Sequence, residues 1–168
     1  MKTLGYIGFG ANLGNPSENF AQTLQELDAS DGIRVLSKSD LYETEPVGLV
    51  DGGPNFLNAV ILVETDLDAG TLISKMRSIE KKLGKSSNHK SDQSRLIDLD
   101  LLFFGSEIID KKDLQVPHPR LHTRAFVLCP MHEIAPDFEH PALKKSIRML
   151  LEDLGTDQAQ TVKPVKID

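Results

Sequence analysis

The chain has 168 residues, 39% hydrophobic and 26% charged, with a formal net charge of −6. That suits one compact domain and excludes a disordered chain; the acidic balance argues against nucleic acid as a partner. No apolar run approaches the ~20 residues of a membrane span, and Cys129, the only cysteine, excludes an internal disulfide. Met1-Lys2-Thr3 leads into strand-like sequence rather than a secretory signal, so a cytoplasmic protein is expected.

Residues 2–9 read as a buried strand running into Gly8-Phe9-Gly10-Ala11-Asn12-Leu13-Gly14. Asn15 and Pro16 then suit the cap and first position of a helix carrying Phe20, Leu24 and Leu27 at helical spacing. Residues 33–42 alternate as a second strand, and 43–55 form a loop holding Pro46, Gly48, Gly52, Gly53 and Pro54. Residues 56–64 form a third strand. The periodicity of Leu72, Met76, Ile79 and Leu83 predicts a helix over 68–83, stopped by Gly84. A polar loop follows over 85–94, then a fourth strand over 96–104 and a short edge strand at 108–109. Residues 116–124 read as a Pro/His/Arg loop, 123–133 and 144–154 as helices, and 156–168 as a loosely held polar tail behind a single domain over 1–155. The order β-α-β-β-α-β is that of a ferredoxin-like α+β fold with C-terminal additions.

Four stretches bear on chemistry. In Arg95-Leu96-Ile97-Asp98-Leu99-Asp100, strand alternation sends Asp98 and Asp100 to one face, ~6.6 Å apart along the chain. They are either two solvated aspartates or a hard-cation site, where Mg²⁺ relieves their repulsion and brings phosphate oxygens. The second reading gains from the preceding segment 75–95, with seven basic residues against two acidic ones. Pro117-His118-Pro119-Arg120-Leu121-His122-Thr123-Arg124 suits a phosphate clamp better than zinc, since no cysteine lies near. Gly8-Phe9-Gly10 superficially suggests a dinucleotide fingerprint, but Leu13 stands where its last glycine belongs; a tight turn presenting backbone and Asn12 to a ligand fits better. Finally, Asn58 in the apolar Phe56-Leu57-Asn58-Ala59-Val60 needs a partner. It is suited to read the edge of a flat heteroaromatic ring, with Phe56 and Phe126 as slot walls or as plain core.

These stretches, with Tyr42-Glu43-Thr44-Glu45-Pro46-Val47-Gly48, Ile79-Glu80, Leu83-Gly84-Lys85 and Arg124-Ala125-Phe126, occur in one order over roughly residues 4–140. In this the chain resembles the 6-hydroxymethyl-7,8-dihydropterin pyrophosphokinases of folate biosynthesis. The resemblance implies ATP-dependent pyrophosphoryl transfer to the pterin hydroxymethyl oxygen, with release of AMP. It implies that Asp98 and Asp100 bind two Mg²⁺ ions, that Asn12, Thr44, Val47, Phe56, Asn58 and Phe126 line the pterin slot, and that Glu80 lies on the nucleotide side. It implies that Arg95, His118 and Arg124 are catalytic and hold the ATP phosphates; Lys85 and Lys90, in a loop that departs from the family, are read as further phosphate contacts, Lys85 also as catalytic. Lys85, Ser87 and Ser91-Asp92-Gln93-Ser94 depart from the family's arginines and tryptophan in this loop, and Lys keeps the charge of Arg without its fork. The partners expected are ATP and the pterin alone, with the chain a monomer or weak dimer. Two other readings follow from the same residues: a catalytically weakened pterin- or nucleotide-binding protein, and a metal-dependent nuclease, which the acidic charge disfavours.

Overall fold

The computed structural model describes residues 1–12, 15–44, 56–84, 97–155 and 162–165. The first half builds one sheet from β1 (Thr3–Ala11), β2 (Ile33–Lys38), β3 (Leu41–Thr44), β4 (Phe56–Thr65) and β5 (Asp98–Phe104), with helices α1 (Pro16–Ala29) and α2 (Ala69–Gly84). Strand order is β5-β1-β4, then β3 and β2 side by side along β4, all pairs antiparallel. This is the expected ferredoxin-like order. Asn15 caps α1 by accepting the Glu18 N–H at 3.2 Å, and Asp68 does the same for Thr71 at 2.7 Å in front of α2.

The sheet separates two cores. On one face Ile7, Phe9, Ile61, Val63, Leu99 and Leu101 pack against Phe20, Leu27, Leu72 and Met76 of α1 and α2. On the other, Tyr6, Val60 and Leu102 pack against a second helical layer: a 3-10 turn (Leu121–Thr123), α3 (Ala125–Ile134) and α4 (Ile147–Leu154). Each fully buried Leu or Phe contributes about 1.5–3 kcal/mol relative to exposure. In β5 the pairing with β1 slips between Tyr6 and Ile7, which face Phe103 and Leu101, leaving Leu102 as an extra residue.

Several expectations are corrected. Residues 33–42 are two strands, because buried Ser39 interrupts the ladder: its Oγ accepts the Val60 N–H at 2.9 Å, a place the backbone would otherwise fill. Gly8 and Gly10 do not form a turn; they lie inside β1, paired to β4 and β5 on either side. The Pro/His/Arg loop begins later than expected, since Val116 ends β7 (Leu114–Val116), which pairs with β6 (Ile109–Lys111). The last helix starts at Ile147 and not at 144, as Lys144 takes a left-handed φ of 59° and Ser146 is the cap. The tail is not wholly loose: β8 (Lys163–Val165) pairs with β3, behind the buried Val162.

Candidate active site

Strand pairing places the acidic pair. Asp98 faces Gly10 on β1, Gly10 faces Asn58 on β4, and Asn58 faces Tyr42 on β3, so the four form one row across the sheet. The next row is Asp100, Gly8 and Val60. Residues two apart share a face, so Asp98, Asp100, Asn58 and Phe56 all leave the sheet on the side opposite α1 and α2. The second helical layer covers this face over Tyr6, Val60 and Leu102, while both aspartates stay partly exposed.

The glycines explain the floor of the site. A Cβ on Gly10 would stand 3.2 Å from Asn58 Oδ1, and one on Gly8 3.4 Å from Leu102 Cδ2. Gly10 is partly exposed, and among the described residues only Asn58 Oδ1 lies within 4 Å of where its Cβ would stand, so the strip between Asp98 and Asn58 has room for a ligand; over Gly8 the Leu102 side chain fills that place. Asn58 is buried, and its Nδ2 donates to Thr44 Oγ1 at 3.2 Å. That bond fixes the amide's orientation and satisfies one of its two N–H groups. Thr44 itself pairs with Phe56. Asn12 is buried directly past the end of β1.

The cationic side comes from the segment between β7 and α3. The His118 N–H donates to Leu102 O at 2.9 Å, which lays this segment along β5. His118 Nδ1 accepts the Arg120 N–H at 3.2 Å, so a neutral ring carries its proton on Nε2. Burial holds the imidazole below its ordinary value, aided by the charges of Arg124 and Arg120 and opposed by that of Asp98. Arg124 is the N-terminal boundary residue of α3, and its guanidinium lies over the Phe126 ring at 5.5 Å from the centroid. Glu133, from the same helix, accepts the Tyr42 hydroxyl at 2.7 Å and the Asp40 N–H at 3.1 Å, tying α3 to β3.

Glu80 stands apart. It is 6% exposed, and its Oε2 accepts the Leu99 N–H at 2.7 Å and pairs with Arg77 Nη1 at 2.8 Å. Burial pushes its carboxyl above the ordinary value, against the downward pull of Leu99 and Arg77. Lys85, Lys90, Arg95 and Val47 lie outside the described residues. Sequence reasoning missed Gly8, Gly10, Tyr42 and Arg77. For the glycines and Tyr42 the signal is the cross-strand register, and for Arg77 it is the bond it donates from α2 to Leu99 O, neither of which any single segment contains.

The donor set suits magnesium: two carboxylates on one face, with no third His, Cys, Asp or Glu grouped with them among the described residues. A hard cation held this way keeps positions for phosphate oxygens and water. Fold and site together define a ferredoxin-like α+β protein with an acid pair on the sheet face opposite α1 and α2. The chain belongs to the 7,8-dihydro-6-hydroxymethylpterin-pyrophosphokinase family, whose model matches residues 6–136. It is 32% identical over 163 residues to the 2-amino-4-hydroxy-6-hydroxymethyldihydropteridine pyrophosphokinase of Bacillus subtilis, covering 94% of this chain and 96% of that protein. It is 37% identical over 159 residues to the folic acid synthesis protein fol1 of Pneumocystis carinii, covering 95% of this chain but spanning only 21% of that longer protein. Among solved structures, the Plasmodium falciparum HPPK-DHPS with pteroate superposes over 99% of this chain and 46% of its own, with a TM-score of 0.77 at 15% identity. That likeness speaks for the fold alone.

Proposed function

We propose that the chain transfers a pyrophosphoryl group from ATP to the hydroxymethyl oxygen of 6-hydroxymethyl-7,8-dihydropterin. A bond forms between that oxygen and the β-phosphorus, the bond from the β-phosphorus to the α,β-bridging oxygen breaks, AMP leaves and the hydroxyl proton is released. The observation that carries this reading is the row Asp98–Gly10–Asn58, with Asp100 in the next row, which puts the acid pair and an amide on one sheet face with a partly exposed glycine between them.

Asn58, oriented by Thr44, reads the polar edge of the pterin, and Phe56 and Phe126 hold its faces. Asp98 and Asp100 would hold two magnesium ions. When bound, these supply the positive charge that offsets the triphosphate. His118 donates from Nε2 to a phosphate oxygen, and Arg124, steadied against Phe126, offers its fork to another. Arg95, Lys85 and Lys90 complete the phosphate contacts in this reading. No protein nucleophile is required, because positioning and charge stabilisation carry this chemistry. The protein acts as a monomer or weak dimer in the cytoplasm, with residues 1–155 as the body of the domain and β8 completing its sheet. No described helix is long and apolar enough to cross a membrane.

The test is calorimetry with Mg²⁺, a non-hydrolysable ATP analogue and 6-hydroxymethylpterin, beside an AMP-release assay. Asp98→Asn and Asp100→Asn each lower single-turnover rate by at least about 10²–10³-fold and leave pterin affinity near that of the unaltered chain. Pterin affinity falling in step with rate refutes this division of labour.

A further inference from the structure

β5 is an outer strand of the sheet, with β1 as its only strand neighbour there among the described residues. An outer strand has N–H and C=O groups that no ladder satisfies. At Leu99, between the two aspartates, both groups are taken by side chains of α2. The Leu99 N–H donates to Glu80 Oε2 at 2.7 Å, Arg77 Nη1 donates to Leu99 O at 2.7 Å, and Arg77 Nη1 pairs with Glu80 Oε2 at 2.8 Å. In antiparallel pairing a residue's N–H and C=O point to the same side, so both groups turn away from β1. The carboxylate and guanidinium, one helical turn apart, therefore imitate one residue of an absent neighbouring strand.

We propose that Arg77 and Glu80 are positioning residues: they splint the backbone of Leu99 so that Asp98 and Asp100 leave β5 at a fixed spacing and direction. This rests on the reading of those aspartates as the magnesium-holding pair. It also gives Glu80 a different part from the nucleotide contact implied by family resemblance. The Glu80 side chain is 8% exposed, and its Oε2 already accepts from two donors. The Leu99 side chain, fully buried against α1 and α2, anchors the strand from one face. The splint secures its outer edge. Leu72, Met76 and Ile79 of α2 join the same core, so the packing of α2 sets where the acids stand.

The full chain tests this with three variants, Glu80→Gln, Glu80→Ala and Arg77→Ala. The readouts are amide hydrogen exchange at Leu99 and Mn²⁺ affinity, the latter measured alone and with a non-hydrolysable ATP analogue. Glu80→Ala speeds Leu99 exchange by about tenfold or more and weakens Mn²⁺ binding by about 10–100-fold, the usual effect of losing a group that orients metal-holding side chains. Glu80→Gln keeps an acceptor for the Leu99 N–H and retains most of the protection. Pterin affinity stays within about twofold throughout, since Asn58 lies beyond β1 and is untouched. Arg77 is half exposed on the helix surface, so Arg77→Ala keeps the test alive should Glu80→Ala not fold. Its expected result is weaker Mn²⁺ binding with the fold intact.

Leu99 exchange that is unchanged in Glu80→Ala overturns the proposal, as does faster exchange with unaltered Mn²⁺ affinity. So does a tenfold loss of analogue affinity in Glu80→Gln without metal, which would make Glu80 a nucleotide contact. Failure of the unaltered chain to bind pterin would instead overturn the proposed reaction, because neither the exchange nor the Mn²⁺ titration uses pterin.

Discussion

Replacing Gly10 by alanine separates a ligand-binding role of the glycine floor from a structural one. The added Cβ would stand 3.2 Å from Asn58 Oδ1, closer than the 3.4–4 Å of ordinary contact, so the amide must shift by a few tenths of an ångström. Its bond to Thr44 is already 3.2 Å long, and that shift carries it towards the edge of bonding distance. Losing it costs about 0.5–1.5 kcal/mol. Alanine in an extended segment recovers about 0.4–1 kcal/mol by narrowing the unfolded ensemble. The two nearly cancel, so Tm stays within about 4 °C of the parent for a chain of this size. Pterin binding has no such compensation: a displaced Asn58 leaves buried polar groups mismatched, a cost of about 1–3 kcal/mol, or about 5–150-fold in Kd. Thermal unfolding and pterin calorimetry on one preparation decide it. Parent-like pterin affinity in Gly10→Ala refutes the floor as part of the site. A large fall in Tm refutes it too, making Gly10 a structural requirement.

Two predictions concern protons. His118 is held below its ordinary 6.5 by burial and by Arg124 and Arg120, so a bound polyphosphate, by opposing those charges, raises it. Near pH 6 the ATP analogue therefore binds with proton uptake, seen by calorimetry in buffers of differing ionisation enthalpy, and His118→Asn abolishes it; uptake that survives the substitution refutes the assignment. The same depression means that the unfolded chain takes the proton first, so this group's contribution lowers stability as pH falls below 6.5 through the folded value. Tyr6 and Tyr42 are the only tyrosines and there is no tryptophan, which gives a clean ultraviolet titration. Burial raises both phenols above their ordinary 10.0; for Tyr42 the bond to Glu133 and the charges of Glu133 and Asp40 raise it further. Less than half of either phenol is then ionised at pH 10 in the folded protein, and their contribution to stability, complete below that pH, is lost as it rises towards the folded values. A normal phenol titration at pH 10 without unfolding contradicts the Tyr42–Glu133 tie.

The acid pair is legible in the sequence because alternation is local: Asp98 and Asp100 share a face once residues 96–104 are read as a strand. The helix over 68–83 is legible for the same reason, its apolar stripe and flanking Gly84 lying within one window. Gly8 and Gly10 are not legible, since glycine signals a turn until β4 and β5 are known to pair on both sides of it. The break at Ser39 depends on Val60, and the inclusion of residues 163–165 in the sheet depends on β3. Glu80 sits beside Ile79, at the rim of an amphipathic stripe. Its burial follows only from Leu99 offering it an N–H across a gap of 19 residues.

The extra residue Leu102 gives β5 a change of step. Ahead of it, acids alternate with Leu99 and Leu101, which belong to the α1/α2 core; behind it, Phe103 belongs with Tyr6 in the other core. The extra residue is absorbed there, so that Phe103 still stands opposite Tyr6 as Leu101 stands opposite Ile7. Deleting Leu102 would leave both acids opposite Gly10 and Gly8 and Phe103 opposite Tyr6; it would remove instead the side chain that lies over Gly8 and the carbonyl that accepts the His118 N–H. What the added residue secures is the seat of the His118 segment, not the direction in which the acids leave the strand.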